Sequence, residues 1–220
     1  MDTMSWRTVV PLYGPAEFAG YTEEDIAYLK ERFGALPSVL EEFYRAAGRT
    51  EAFHHVQDTW LLPEHFRTWD WLRKSEHLFL LNENQGVCRA LIRREDLSLP
   101  DPPVYSTEDD EHWALCAPST SAFLAAALAY EASFTFPHSP EGFLWLDEED
   151  MDLLSTRLTQ LPLSLQNWLR EMEITLYQNA PDNLAAVTGD EESASMLYGA
   201  VCEESYRKLD AALEGIGEPM

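Results

Sequence analysis

Basic residues are scarce in this chain. Its 220 residues hold 15 Lys and Arg against 39 Asp and Glu, a formal net charge of −24. Such a surface repels nucleic acid and anionic membranes, which argues against functions built on phosphate contacts, and it favours cationic partners. Solubility alone is the plain alternative. Cysteine is also sparse. Cys88, Cys116 and Cys202 are an odd number at wide spacing with no C-x-x-C, which points to a reduced, cytoplasmic protein with three free thiols. Long hydrophobic runs are missing. The N-terminus, MDTMSWRTVV, places no apolar stretch behind a basic start, so no signal peptide is expected. The most apolar helical stretch, 122–130, is far too short to span a bilayer.

The sequence signatures of common catalysts are absent as well: there is no G-x-G-x-x-G, G-x-x-x-x-G-K, H-E-x-x-H or G-x-S-x-G. Cys88 as a nucleophile, with His77 or His112 as its base, is the one arrangement to weigh. It lies in an apolar strand, where a cysteine behaves as a small inert hydrophobe. Paired carboxylates mean little in a chain this acidic. Adjacent His54 and His55 invite a metal reading, but neighbours on a strand point to opposite faces and no third ligand sits at suitable spacing. The chain is therefore read as non-enzymatic, without cofactor or metal.

What is present is enough apolar material, 45% of residues, for a sizeable core. The stretch Leu78 to Tyr105 organises it. Two apolar runs, Leu78–Leu81 and Val87–Ile92, flank the polar insert Asn82-Glu83-Asn84-Gln85-Gly86 and read as adjacent strands joined by a long turn. Asp101-Pro102-Pro103 follows; two prolines lack N–H donors, so regular pairing should stop there before Val104-Tyr105 resumes.

An apolar strand, then ENQG, a second strand, DPPV and a later tryptophan resemble the SUKH superfamily. Its members include fungal regulators of cell-wall synthesis and many bacterial immunity proteins of toxin systems. Leu36-Pro37 opening a helix that ends at Gly48 resembles the family's early element, and Trp113 followed by STSAFLAAALAYE (119–131) resembles a later one. The resemblance covers roughly residues 36–131. Arg89-Ala90 stands where many relatives carry Trp-Gly.

Taken in order, residues 1–20 hold Pro11, Gly14, Pro15 and Gly20 and read as an irregular arm. Thr22-Glu23-Glu24-Asp25 is a capping box opening a helix that Gly34 ends, with Ile26, Leu29 and Phe33 on one face. Ser38-Val39-Leu40-Glu41 repeats the pattern, and Val39, Leu40, Phe43, Tyr44 and Ala47 form a core-facing stripe. Pro63 starts a helix through Trp69, Trp71 and Leu72. Trp60, Trp69 and Trp71 read as core near a helix–sheet junction, with a recognition patch as the alternative. Helices are expected at 38–47 and 120–133, with Leu40, Phe43, Leu80, Leu91, Phe123 and Leu128 buried. A further helix after Asp147 should carry Met151, Leu154, Leu158 and Leu161 on its apolar side. Strands at 173–177, 184–187 and 195–201 and a last helix at 203–213 complete the chain. Without a linker tract or repeat, it reads as one α+β domain over 1–220. A central mixed or antiparallel sheet has flanking helices, and residues 160–220 extend that sheet and add the last helix.

Acid is concentrated between Glu95 and Asp152, with no Lys or Arg between Arg94 and Arg157. One cluster, Asp147, Glu148, Glu149 and Asp150, sits where a helix begins and suits its dipole. The other, Glu108, Asp109, Asp110 and Glu111, reads as a solvated loop. Both clusters are taken as the surface that meets a cationic partner. The resemblance implies a cytoplasmic immunity protein that neutralises a cationic toxin domain, often a nuclease; the alternative is an intracellular scaffold or regulator of the fungal type. No nucleic-acid or membrane partner is expected.

Overall fold

The structure is a computed structural model that describes residues 5–54, 56–169, 172–189 and 194–220. The fold is α+β, as expected, with both sheets antiparallel throughout. The chain divides into two compact units, Ala16–Phe123 and Met1–Pro15 with Leu124–Met220.

In the first unit, α1 (Glu23–Phe33) starts with the expected capping box: Thr22 accepts from Asp25 N, and Asp25 accepts from Thr22 N. Gly34 ends α1 in the left-handed conformation, at φ 80°. The following helix, α2 (Ser38–Ala47), has no such box; Pro37 is its N-cap. Its first-turn amides look elsewhere, Val39 N donating to Pro100 O at 3.2 Å, and Ser38 Oγ bonds the same carbonyl. A neighbouring loop thus does what the serine was expected to do.

Short strand β1 (Thr59–Trp60) precedes α3 (Pro63–Thr68) and α4 (Asp70–Lys74), which replace the single helix read from the sequence. The break is Trp69, in extended conformation. Strands β2 (Leu78–Asn82), β3 (Arg89–Ile92), β4 (Val104–Thr107) and β5 (Ala114–Ala117) follow, and the sheet order is β1-β2-β3-β4-β5. The expected hairpin at 78–92 is present, but β3 starts only at Arg89. Val87 and Cys88 belong to the turn, where Cys88 O accepts from Glu83 N at 3.0 Å. A chain of ring contacts, Phe53–Phe43–Trp60–Phe123, runs through the core.

Helix α5 (Thr120–Ser133) contains the boundary between the units. At its start, Asp101 accepts from Ser121 N and Ser121 Oγ at 2.8 and 2.6 Å, and Thr120 Oγ1 donates to Pro102 O. The DPP segment that stops sheet pairing therefore also caps the next helix.

Within the arm expected to be irregular over 1–20, residues 14–20 have no helix or strand, but in the second unit Trp6–Tyr13 forms a 3-10 helix with Trp6, Val9 and Leu12 buried. Tyr13 OH donates to Leu128 O at 2.6 Å. Strand β6 (Leu144–Leu146) leads into α6 (Glu148–Arg157), capped by a box between Asp147 and Asp150. Strands β7 (Thr159–Trp168), β8 (Met172–Gln178), β9 (Asn183–Gly189) and β10 (Ala194–Ala200), helix α7 (Glu203–Ala212) and short β11 (Glu218–Pro219) complete it. These strands do not extend the first sheet. They form their own, in the order β11-β6-β10-β9-β8-β7. The apolar stripe expected on one helix is split accordingly: α6 ends at Arg157, Leu158 is its C-cap and Leu161 lies in β7. Pro162 is tolerated there because β7 is an edge strand. Leu146, Val187, Met196 and Tyr198 on one sheet face pack with Leu154 of α6 and Leu209 of α7.

The six residues expected in the core, Leu40, Phe43, Leu80, Leu91, Phe123 and Leu128, are all buried. Among the described residues no helix is long and apolar enough to cross a membrane.

Candidate functional site

The loop between β4 and β5 carries Glu108, Asp109, Asp110 and Glu111, all exposed. Two of the four carboxylates have structural tasks. Asp109 accepts from Glu111 N at 2.9 Å, from His112 N at 2.8 Å and from the His112 ring at 2.7 Å, closing the turn. That histidine contact, reinforced by the two amides, holds the Asp109 carboxyl well below the usual carboxylate range, and Asp109 in turn raises the His112 imidazole. Asp110 adopts a positive φ of 63°, a conformation Asp tolerates better than most residues, and its N–H donates to Thr107 Oγ1. Both its oxygens lie 2.8 Å from a guanidinium nitrogen of Arg89. The loop is thus more built than the solvated run its composition suggested, and Glu108 and Glu111 are the carboxylates for which folding supplies no evident use.

Arg89 joins this loop to an aromatic sheet face. Its guanidinium lies over the Trp71 ring, 4.9 Å from the centroid. Trp71 meets Phe79 edge-on at 5.2 Å and approaches Trp69, which stacks on His65 at 4.4 Å. Pairing places Phe79, Leu91, Tyr105 and Leu115 in one row across the sheet, and directly paired residues share a face. Trp113, two residues before Leu115, belongs to the same face, and its ring meets His77 at 4.6 Å. Trp69, Trp71 and Trp113 are each 37% exposed and Leu115 is 41% exposed. Of the tryptophans read as core, only Trp60 is buried. The signal was the Trp69-Asp70-Trp71-Leu72 order: on so short a helix, Leu72 takes the inward position and leaves the indoles outside. Arg89 itself was marked by being the only charge inside an apolar run.

The second acidic cluster lies in the other unit. Asp147 caps α6, its carboxylate accepting from Asp150 N at 2.9 Å, while Glu148 and Glu149 occupy the first turn, where negative charge suits the helix dipole. Exposed Phe143 and Trp145 precede it. Each acidic run therefore has an exposed tryptophan within two residues.

Elsewhere, the polar turn at 82–86 hangs from buried carboxylates. Glu83 accepts from Gln85 N at 2.9 Å and Val87 N at 3.1 Å, and Asp58 accepts from Asn84 N at 3.1 Å. Burial pushes the Asp58 carboxyl up to about 7, against the Asn84 hydrogen bond, with Glu83 adding repulsion. His54 contacts Gly48 O at 2.9 Å; His55, the other half of the histidine pair, lies outside the described residues. Among the described residues no three metal-capable side chains gather.

No cysteine is in a disulfide; Cys88 and Cys116 are buried and Cys202 is exposed. Burial drives the Cys116 thiol far above its ordinary value, with Cys88 adding to the shift. In the native protein one thiol, Cys202, should therefore react with Ellman's reagent within minutes, and all three should react after denaturation. Rapid loss of a second thiol in the native state would contradict this burial.

Comparison with known proteins finds no matching family model, no similar curated protein and no similar solved structure.

Proposed function

We propose that the chain is a cytoplasmic, non-enzymatic binding protein that neutralises a cationic toxin domain by direct contact. The SUKH-like order of motifs supports the immunity class. The observation that carries the reading is the exposed Glu108–Glu111 loop, held by Asp110–Arg89 at the rim of a sheet face with three part-exposed tryptophans. A preformed acidic rim steers a basic partner into place, and a toxin that acts on nucleic acid presents such a surface.

Co-expression with the product of the adjacent gene should yield a stable complex and protect the host cell; no complex and no protection would overturn the reading. The rim charges have a sharper signature. Because Asp109 and Asp110 build the loop, the informative change is Glu108→Gln with Glu111→Gln. At low salt it should slow association about two- to fivefold while dissociation stays the same, and the effect should shrink as salt screens the charges. An unchanged association rate at low salt would make the cluster a solubility device.

A further inference from the structure

Three exposed tryptophans of the first unit, Trp69, Trp71 and Trp113, surround one sheet face whose Phe79 and Leu91 are buried beneath; Phe18 is exposed elsewhere. Indole and phenol rings draw cations to their faces, and Trp binds them best. Two of the chain's few cations lie on rings here, Arg89 over Trp71 at 4.9 Å and Arg93 over Tyr105 at 4.2 Å. Both guanidinium groups end on carboxylates, of Asp110 and Asp96 respectively. The face thus repeats one arrangement: a planar cation on an aromatic ring with its nitrogens on an acid. Trp69 and Trp113 offer further exposed indole, and Glu108 and Glu111 further carboxylates.

We propose that this face is the centre of the docking surface and that its occupant is an arginine-rich protein segment, whose guanidinium groups stack on the exposed indoles and end on the loop carboxylates. The inference rests on the binding-protein reading and gives that partner its chemistry. Arginine is favoured over lysine because a planar, weakly hydrated guanidinium stacks and pairs in two directions at once, whereas an ammonium is a strongly hydrated point charge. Part-exposed tryptophans with an acidic rim match the division of labour in protein interfaces, where aromatic anchors supply affinity and rim charges supply rate.

The test is a titration of the whole 220-residue chain with a short synthetic peptide alternating arginine and leucine, and with its lysine counterpart, following the indole N–H signals by NMR. The signals of Trp69, Trp71 and Trp113 should move while those of buried Trp60 and Trp168 stay. The arginine peptide should bind about fivefold tighter than the lysine peptide. Trp69→Ala and Trp71→Ala should each weaken it roughly three- to tenfold with circular dichroism unchanged; Trp69, at a helix break, is the safer substitution for folding. Equal binding of the two peptides, or shifts dominated by Trp145, would mean general attraction of polycations to an acidic protein and would overturn the proposal. Because no toxin is used, failure here leaves the immunity reading to its co-expression test, and failure there leaves the titration standing.

Discussion

Gly20→Ala is expected to unfold the first unit or to destabilise it by upwards of about 3 kcal/mol, the range reached only when packing or backbone geometry is broken. Residues 19–21 run against the end of α2. Tyr21 N donates to Tyr44 O at 2.8 Å, Arg49 N to Ala19 O at 2.7 Å, and Ala19 N to Thr50 Oγ1 at 3.2 Å. A Cβ on Gly20 would sit 1.8 Å from the Arg45 carbonyl oxygen and 2.5 Å from its carbon. No rotamer relieves a clash with backbone, so the segment must withdraw and give up those bonds, together with the Tyr21 hydroxyl's contact to Glu64 at 2.9 Å. Gly34→Ala is the contrast: its φ is 80° but nothing lies near its Cβ, so only left-handed strain of about 1 kcal/mol is expected. Urea unfolding followed by tryptophan fluorescence distinguishes them. Similar small losses for both would show that the 19–21 segment moves aside freely.

Asp58→Asn should stabilise the protein at pH 8 by on the order of 1–3 kcal/mol, by less at intermediate pH, and have little effect at about pH 4 and below. The sign follows from burial. The Asp58 carboxyl is held up to about 7 in the native protein, whereas in the unfolded chain it titrates at about 3.9. Between those values the native state holds a proton that the unfolded state has released. Stability contributed by Asp58 therefore falls as pH rises through this window and stays low above it. Asparagine keeps an oxygen for Asn84 N, the bond that suspends the 82–86 turn, and removes the buried charge. The measurement is the difference in unfolding free energy between variant and parent from pH 4 to 8, which cancels the opposite dependence of paired carboxylates such as Asp25 and Glu41. A difference that does not change with pH would place Asp58 in contact with water.

These effects concern residues whose roles depend on distant neighbours, and the sequence reading divides along the same line. Local signals were sufficient for α1, whose capping box and terminal glycine are contiguous, and for β2, where an apolar run meets a polar turn. They failed where the deciding partner is remote. Ser38 resembles a cap, but Pro100 supplies the carbonyl. The leucine spacing after Asp147 continues past Arg157 although the backbone changes to a strand, because helical and extended periods overlap across Leu158 and Leu161. Two sheets rather than one could not be read from strand-forming runs, since pairing partners leave little local trace. At the candidate site, composition marked the acidic loop. Only three-dimensional contacts show that Asp109 and Asp110 are engaged, that Arg89 holds the loop, and that Trp69 and Trp71 face outward.

Along the sequence, residues 16–123 are an insertion in the second unit: the chain leaves it at Pro15 and returns at Leu124. On the ribosome the inserted unit can therefore finish folding while the Trp6–Tyr13 helix still waits for its partners. The Leu128 carbonyl that receives the Tyr13 hydroxyl emerges more than a hundred residues later. A nascent chain cut after residue 123 would leave the Tyr13 hydroxyl without that carbonyl. Deletion of the first fifteen residues would damage the six-stranded unit while sparing the nearer, five-stranded one. Distance along the chain and membership of a folding unit are here opposed: the carbonyl that Tyr13 needs lies in the carboxy-terminal half.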